Sequence, residues 1–179
     1  MANAGDHIVI PLDQVDFGLN LIGDNILSFI QDNYALMRQR SDWHAVALAI
    51  FALEELVKYA ELKRLKELAI RANSLAIEVD KRLFGHGRNS HEYKLTIAKE
   101  KELIPLDAWT IHAGYFRSEY FSRKYFDTPT IISGALRLQN IYVDWKGGEW
   151  LHGSEVVDPS RLKTFVDSIS KTLERLKPQ

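Results

Sequence analysis

The 179-residue chain contains no cysteine. That excludes disulfides, thiolate metal sites and a cysteine nucleophile, and it suits a reducing compartment. Long apolar runs are also lacking. The longest, Ala45 to Leu53, has nine residues, where a membrane-spanning helix needs roughly 20. No basic stretch followed by an apolar core opens MANAGDHIVIPLDQ, so it does not read as a secretory signal. A large charge of either sign is missing as well: 23 basic and 24 acidic residues give a formal net charge of −1. Nucleic-acid binding would therefore need a local basic patch rather than a global one. P-loop, G-x-G-x-x-G and G-x-S-x-G patterns are absent, and no histidine–carboxylate spacing resembles a metal site. The expectation is a soluble cytoplasmic protein with no metal, no cofactor and no membrane contact.

What is present is helical. The length suits one domain, residues 1–179, and 46% hydrophobic with 26% charged residues is an ordinary globular composition. Residues 1–11 read as an N-terminal arm ending at Pro11. From Asp13 to Arg40, Val15, Leu19, Ile22, Ile26, Phe29, Ile30 and Leu36 recur at three- and four-residue steps, the spacing of a helix. Gly18 and Gly23 weaken that pattern. Ser41 reads as the N-cap of a second helix reaching about Ala72. Its first half is apolar on every face and should be interior; its second half is amphipathic. A further helix is read over Ser74–Phe84. Gly85 and Gly87 then interrupt, and Asn89 with Glu92 fits an N-cap and third-position acid for a helix running to about Leu103. Helices are also read over Leu106–Tyr125 and Thr130–Leu138. In IYVDWKGGEWLHG, a Gly147-Gly148 turn would pair Trp145 with Trp150 and Lys146 with Glu149, giving a β-hairpin near residues 141–152. After Asp158-Pro159, residues 160–177 form the C-terminal helix on Leu162, Phe165, Val166, Ile169, Leu173 and Leu176.

Two polar groups carry candidate chemistry. Glu54, Glu55 and Lys58 follow directly on the apolar run, and Glu55 and Lys58 share a helix face. Buried without partners, such charges would cost several kcal/mol. They need either a structural ion pair where the helix meets solvent or a wet cleft. Downstream, His91 and Lys94 share a face, with Arg88 just before them. A helix start there would favour anions and a neutral, proton-accepting histidine; a solvated turn is the alternative. In YFRSEYFSRKYF, residues 115–126, aromatics alternate with Arg117, Arg123 and Lys124. Single-stranded RNA binding uses these residue types, and so does a packed helix with a basic edge.

In order along the chain, FALEELVKYAEL, RLFGHGRNSHEYKL and IYVDWKGGEW…DP resemble the AbiV family of bacterial phage-defence (abortive infection) proteins. That family has an E-E-x-x-K-type motif closing an apolar helix, an H-x-x-K-type motif, and a Y-V-D segment before a tryptophan. The resemblance implies a mainly α, HEPN-like helical bundle with one short hairpin, a homodimer, and a metal-independent ribonuclease site. Carried across by position, Glu55 and Lys58 fall on the first motif, and His91 and Lys94 on the second, as catalytic residues. Arg88, Arg117, Arg123 and Lys124 would bind RNA phosphates, and Glu55 would orient His91 or hold the lysines. The arginine-to-histidine spacing of HEPN ribonucleases, with four to six intervening residues, has no match here: two residues separate Arg88 from His91, and three separate Arg82 from His86. Two other readings therefore stand beside the ribonuclease. One is a non-catalytic interaction protein that binds a phage protein or the translation machinery. The other is a nucleotide-binding regulatory domain.

Overall fold

The structure, a computed structural model, describes residues 6–85, 88–114, 129–131, 144–146, 149–151 and 156–177. Strand β1 (His7–Pro11) leads directly into α1 (Leu12–Arg38), which is followed by α2 (Asp42–Arg71). Strand β2 (Ala76–Asp80) runs into a 3-10 turn, Lys81–Leu83, and then α3 (Arg88–Glu100) follows. A second 3-10 turn, Leu106–Trp109, opens into β3 (Thr110–Gly114), and β4 spans Pro129–Ile131. Strands β5 (Asp144–Lys146) and β6 (Glu149–Leu151) form a hairpin, β7 covers Val156–Val157, and α4 (Pro159–Leu176) closes the chain. The fold is mainly α, a helical bundle with short antiparallel sheets.

Helices α1 and α2 form an antiparallel pair around the core. Val15, Leu19, Ile26 and Ile30 of α1 are buried against Val46, Ala49, Ile50, Leu53 and Val57 of α2. Phe29 stacks on Phe51 with ring centroids 6.0 Å apart. Neither Gly18 nor Gly23 interrupts α1, because packing outweighs a propensity cost of about 1 kcal/mol per glycine. The buried opening of α2 is interior, as its composition predicts. Ser41 precedes it, but the hydroxyl does not cap the backbone; Ser41 Oγ lies 2.8 Å from His44 Nδ1.

Three helices end by the same device. Arg40, Asn73 and Glu102 each take a positive φ, 56°, 52° and 48°. The next amide then reaches back over the last turn: Ser41 N–H to Leu36 O, Ser74 N–H to Ala69 O and Leu103 N–H to Ala98 O, at 2.9, 2.9 and 3.0 Å. The third closure stops α3 at Glu100, short of Leu103. α4 starts on Asp158, whose carboxylate accepts from the amides of Ser160 and Arg161, with Pro159 pre-set for the first turn. Its Leu162, Phe165, Val166, Ile169 and Leu173 are buried, each contributing about 1.5–3 kcal/mol.

Several expectations are corrected. Ser74–Phe84 is not a helix: Ala76–Asp80 pairs antiparallel with His7–Pro11, matching Ile77 with Ile10 and Val79 with Ile8. The apolar residues Leu75, Ile77 and Val79 sit two apart, which is strand spacing. The end of the expected N-terminal arm is the other half of this ribbon. Asn89 does not cap α3, which already begins at Arg88. The helix expected over Leu106–Tyr125 begins as a 3-10 turn and turns into β3. Where a helix was expected from Thr130, β4 runs over Pro129–Ile131. The remaining parts of those two spans, 115–125 and 132–138, lie outside the described residues. β3 is flanked by β4 and β7, both antiparallel. The hairpin has the expected register, Trp145 opposite Trp150 and Lys146 opposite Glu149.

Candidate functional site

Glu54, Lys58 and Glu61 fall at i, i+4 and i+7 on α2, so they stand in a column on one face. All three are buried, with Glu54 3% and Lys58 8% exposed. From α3, His91 and Lys94 answer Glu54, and Lys101, just past that helix, answers Glu61. Partners advance together along both elements, so α2 and α3 run parallel along a seam of charges. The antiparallel β1–β2 ribbon makes this possible by returning the chain to the start of α2's charged half before α3 begins.

At the upper end of the seam, Glu54 Oε2 lies 2.7 Å from His91 Nδ1 and 3.2 Å from Lys94 Nζ. His91 is 8% and Lys94 1% exposed. Lys94 Nζ also donates to the Gly85 carbonyl at 3.2 Å. Gly85 fits there because it lacks a side chain: a Cβ would stand 2.1 Å from Ser90 Oγ and 3.0 Å from Ser90 Cβ. Burial pushes the Lys94 amine below its ordinary value, and the Glu54 carboxylate opposes that shift by charge and hydrogen bond. Glu55 points its carboxylate to Lys58 Nζ at 2.5 Å. Lower down, Glu61 is held by Lys101 and by Arg64, whose Nη2 is 2.9 Å away. Burial pushes the Glu61 carboxyl up, but the hydrogen bonds from Lys101 and Arg64 outweigh it, and the net shift is downward.

The sequence-predicted residues divide as follows. His91 and Lys94 are brought together, on Glu54 rather than on Glu55. Glu55 and Lys58 pair with each other. Arg88 opens α3, and its side chain lies outside the described residues, as do Arg117, Arg123 and Lys124 entirely. The part of Glu54, and the Glu61–Lys101–Arg64 group, escaped the motif reading. The i, i+4, i+7 spacing of alternating charge on a helix with a buried start is the signal that contains them. Beside the seam, Arg82 stacks 4.0 Å above the Tyr93 ring and is held by Asp80. Among the described residues no group of three or more histidines and carboxylates is placed to hold a metal, and no helix is long and apolar enough to cross a membrane.

The described residues thus form a helical bundle with a short hairpin and an acid–histidine–lysine seam between its second and third helices. The family model HEPN_AbiV, described as AbiV, matches residues 14–174. The chain belongs to this family of abortive-infection phage-defence proteins. No curated protein and no solved structure gives a significant match.

Proposed function

We propose that the protein arrests phage growth by binding rather than by cutting. In this reading it is a cytoplasmic homodimer that captures a phage protein or a component of the translation machinery. The Glu54–His91–Lys94 cluster is then the clasp that sets α3 against α2. The observation that carries this reading is the burial of that cluster. A general base must come within hydrogen-bond reach of the substrate hydroxyl, and a phosphate-binding lysine must reach the phosphate. Lys94, 1% exposed, instead faces Glu54 and the Gly85 carbonyl. The missing arginine-to-histidine spacing points the same way.

One observation favours a metal-independent ribonuclease as a second reading. A carboxylate on Nδ1 orients an imidazole and stabilises its charged form, which is what a catalytic histidine needs, and Glu54 stands there. The test is to incubate the purified protein with RNA in the presence of a chelator, beside H91A. Binding predicts intact RNA and an H91A variant with a lowered melting temperature. Cleavage that H91A abolishes, with the melting temperature unchanged, overturns the binding reading.

A further inference from the structure

Just past the Lys101 end of the charged seam, α4 and the segment after α3 enclose a groove of about 370 Å³. One wall is α4, with Ser168, Lys171, Thr172 and Arg175 at i, i+3, i+4 and i+7. The other wall is Leu103, Pro105 and Leu106, with Glu102 at one rim. Leu106 is 70% exposed. Lys171 and Arg175 stand one turn apart, with Cβ atoms about 5–6 Å from each other. Neither forms an ion pair with any described residue, while Lys163 and Lys177 of the same helix pair with Asp167 and Glu174. Asp167, one turn before Lys171, is already engaged by Tyr34 and Lys163.

The walls are fixed in place before any ligand arrives. Thr172 Oγ1 donates to the Leu103 carbonyl at 2.7 Å, a buried bond that ties the loop to α4. The left-handed Glu102 and the Leu103-to-Ala98 hydrogen bond set the loop's exit from α3. A pre-formed groove avoids the ordering entropy that a mobile one would lose on binding.

From this geometry we infer that the groove is a docking site for an acidic peptide segment of a partner protein, one that places an apolar side chain on Leu103, Pro105 and Leu106 between carboxylates held by Lys171 and Arg175. The inference rests on the binding reading given above and names the chemistry of the partner. Two cations that form no ion pair with a described residue, Lys171 feeling Asp167 only at longer range, stand beside an apolar shelf and are complementary to a segment that alternates acids with a leucine or phenylalanine. RNA fits less well. Among the described residues the lining has no aromatic ring on which a base could stack, and its apolar shelf of Leu103, Pro105 and Leu106 suits a side chain rather than a sugar-phosphate backbone; Glu102, at the rim, opposes either anion and leaves Lys171 and Arg175 as the side the carboxylates take.

The probe is a short fluorescent peptide with one leucine flanked by aspartates and glutamates, titrated against the full chain by anisotropy. Comparison probes are the same peptide with lysines in place of the acids, and a 5′-phosphorylated RNA oligomer of equal charge. The acidic peptide should bind in the micromolar range, weaken with added salt, and lose roughly tenfold or more in K171E/R175E, since both charge-assisted contacts are reversed. L106D should weaken it as well. All three positions are exposed, so melting temperatures should stay unchanged. No binding at millimolar peptide, equal binding by K171E/R175E, or tighter binding of the RNA oligomer overturns the assignment. If the peptide fails while K171E/R175E still protects cells from phage, the groove is wrong and the binding reading stands. If the protein cuts RNA, the binding reading falls, and the peptide titration still decides the groove.

Discussion

Replacing Glu54 with glutamine tests the clasp directly. The change keeps size and shape but removes the charge that faces both His91 Nδ1 and Lys94 Nζ. Lys94 is 1% exposed and would keep the Gly85 carbonyl, the neutral amide oxygen of the new glutamine and the more distant charge of Glu55, with Lys58 nearby as a repelling charge, but no carboxylate in contact. Breaking a buried ion pair from one side costs about 3–5 kcal/mol. For a chain of this length each kcal/mol lowers the melting temperature by about 2–4 °C, so E54Q should lose about 6–20 °C by differential scanning calorimetry at pH 7. The deficit should depend on pH with a definite sign. Without Glu54 the folded state depresses Lys94 further below its ordinary value, so the unfolded chain binds more protons. Stability then rises with pH between the folded and the unfolded lysine pKa, and the gap between E54Q and wild type narrows as pH approaches about 10. An apolar second change, K94M, should recover much of the loss in E54Q by removing the orphaned charge. A loss under about 2 °C, or a deficit that K94M deepens, would show that water already reaches the pair and that no clasp exists.

Three further outcomes follow from other contacts. Glu61 has a carboxyl pKa lowered by Lys101 and Arg64, so its contribution is complete above about 4.5 and is lost as pH falls through the folded value; E61Q should flatten the acid limb of a urea-stability profile below that pH, and an unchanged limb refutes the coupling. Tyr34 donates to Asp167, and burial, that hydrogen bond and the carboxylate charge push the phenol up to about 12. Y34F should cost about 1.5–3 kcal/mol in urea denaturation and remove a tyrosine that ionises near pH 12 from an ultraviolet titration. T172V leaves the buried Leu103 carbonyl without its hydroxyl donor and should cost about 1–3 kcal/mol; it should also weaken peptide binding in the α4 groove, whereas K171E/R175E should leave stability unmoved.

How much of this was legible in the sequence depended on whether one segment carried its own period. α1 and α4 show three- and four-residue spacing along their length, and packing confirms that face in each, while α2 was legible from its long apolar opening, which is buried. The hairpin was legible because the sequence offers a two-residue glycine turn, and the pairs such a turn implies, Trp145 with Trp150 and Lys146 with Glu149, are the ones the strands form. Ser74–Phe84 was misread because five residues of strand between charged neighbours offer few positions, and its partner, His7–Pro11, lies far upstream. Strand pairing is a property of two segments, and neither announces the other. The site was half legible for a related reason. The E-E-x-x-K and H-x-x-K patterns locate the two helices, but they do not say which glutamate faces inward. Successive residues differ by about 100° around a helix, and only the position of the core settles that Glu54 turns to α3 and Glu55 to Lys58.

A charged seam between α2 and α3 calls for a reason, since apolar residues of equal volume would hold two helices at least as tightly. Register supplies one. An apolar stripe on parallel helices tolerates a slip of one turn, because leucine against leucine is much the same after the shift. The seam does not. Moving α3 by one turn along α2 would take His91 and Lys94 from Glu54 toward Lys58, placing lysine against lysine in the interior. The same slip would draw Lys101 away from Glu61. Both ends therefore oppose the same displacement, and Gly85 opposes it a third time, because its carbonyl must meet Lys94 while its missing Cβ leaves room for Ser90. The end of α3 sets the position of Glu102 and Leu103, and those residues form the wall of the α4 groove. A buried cluster that touches no ligand can thus fix, through one rigid helix, the shape of a surface that does. Substitutions at Glu54 that leave the chain folded should then disturb peptide docking at Lys171 and Arg175, although those two residues share no contact with it.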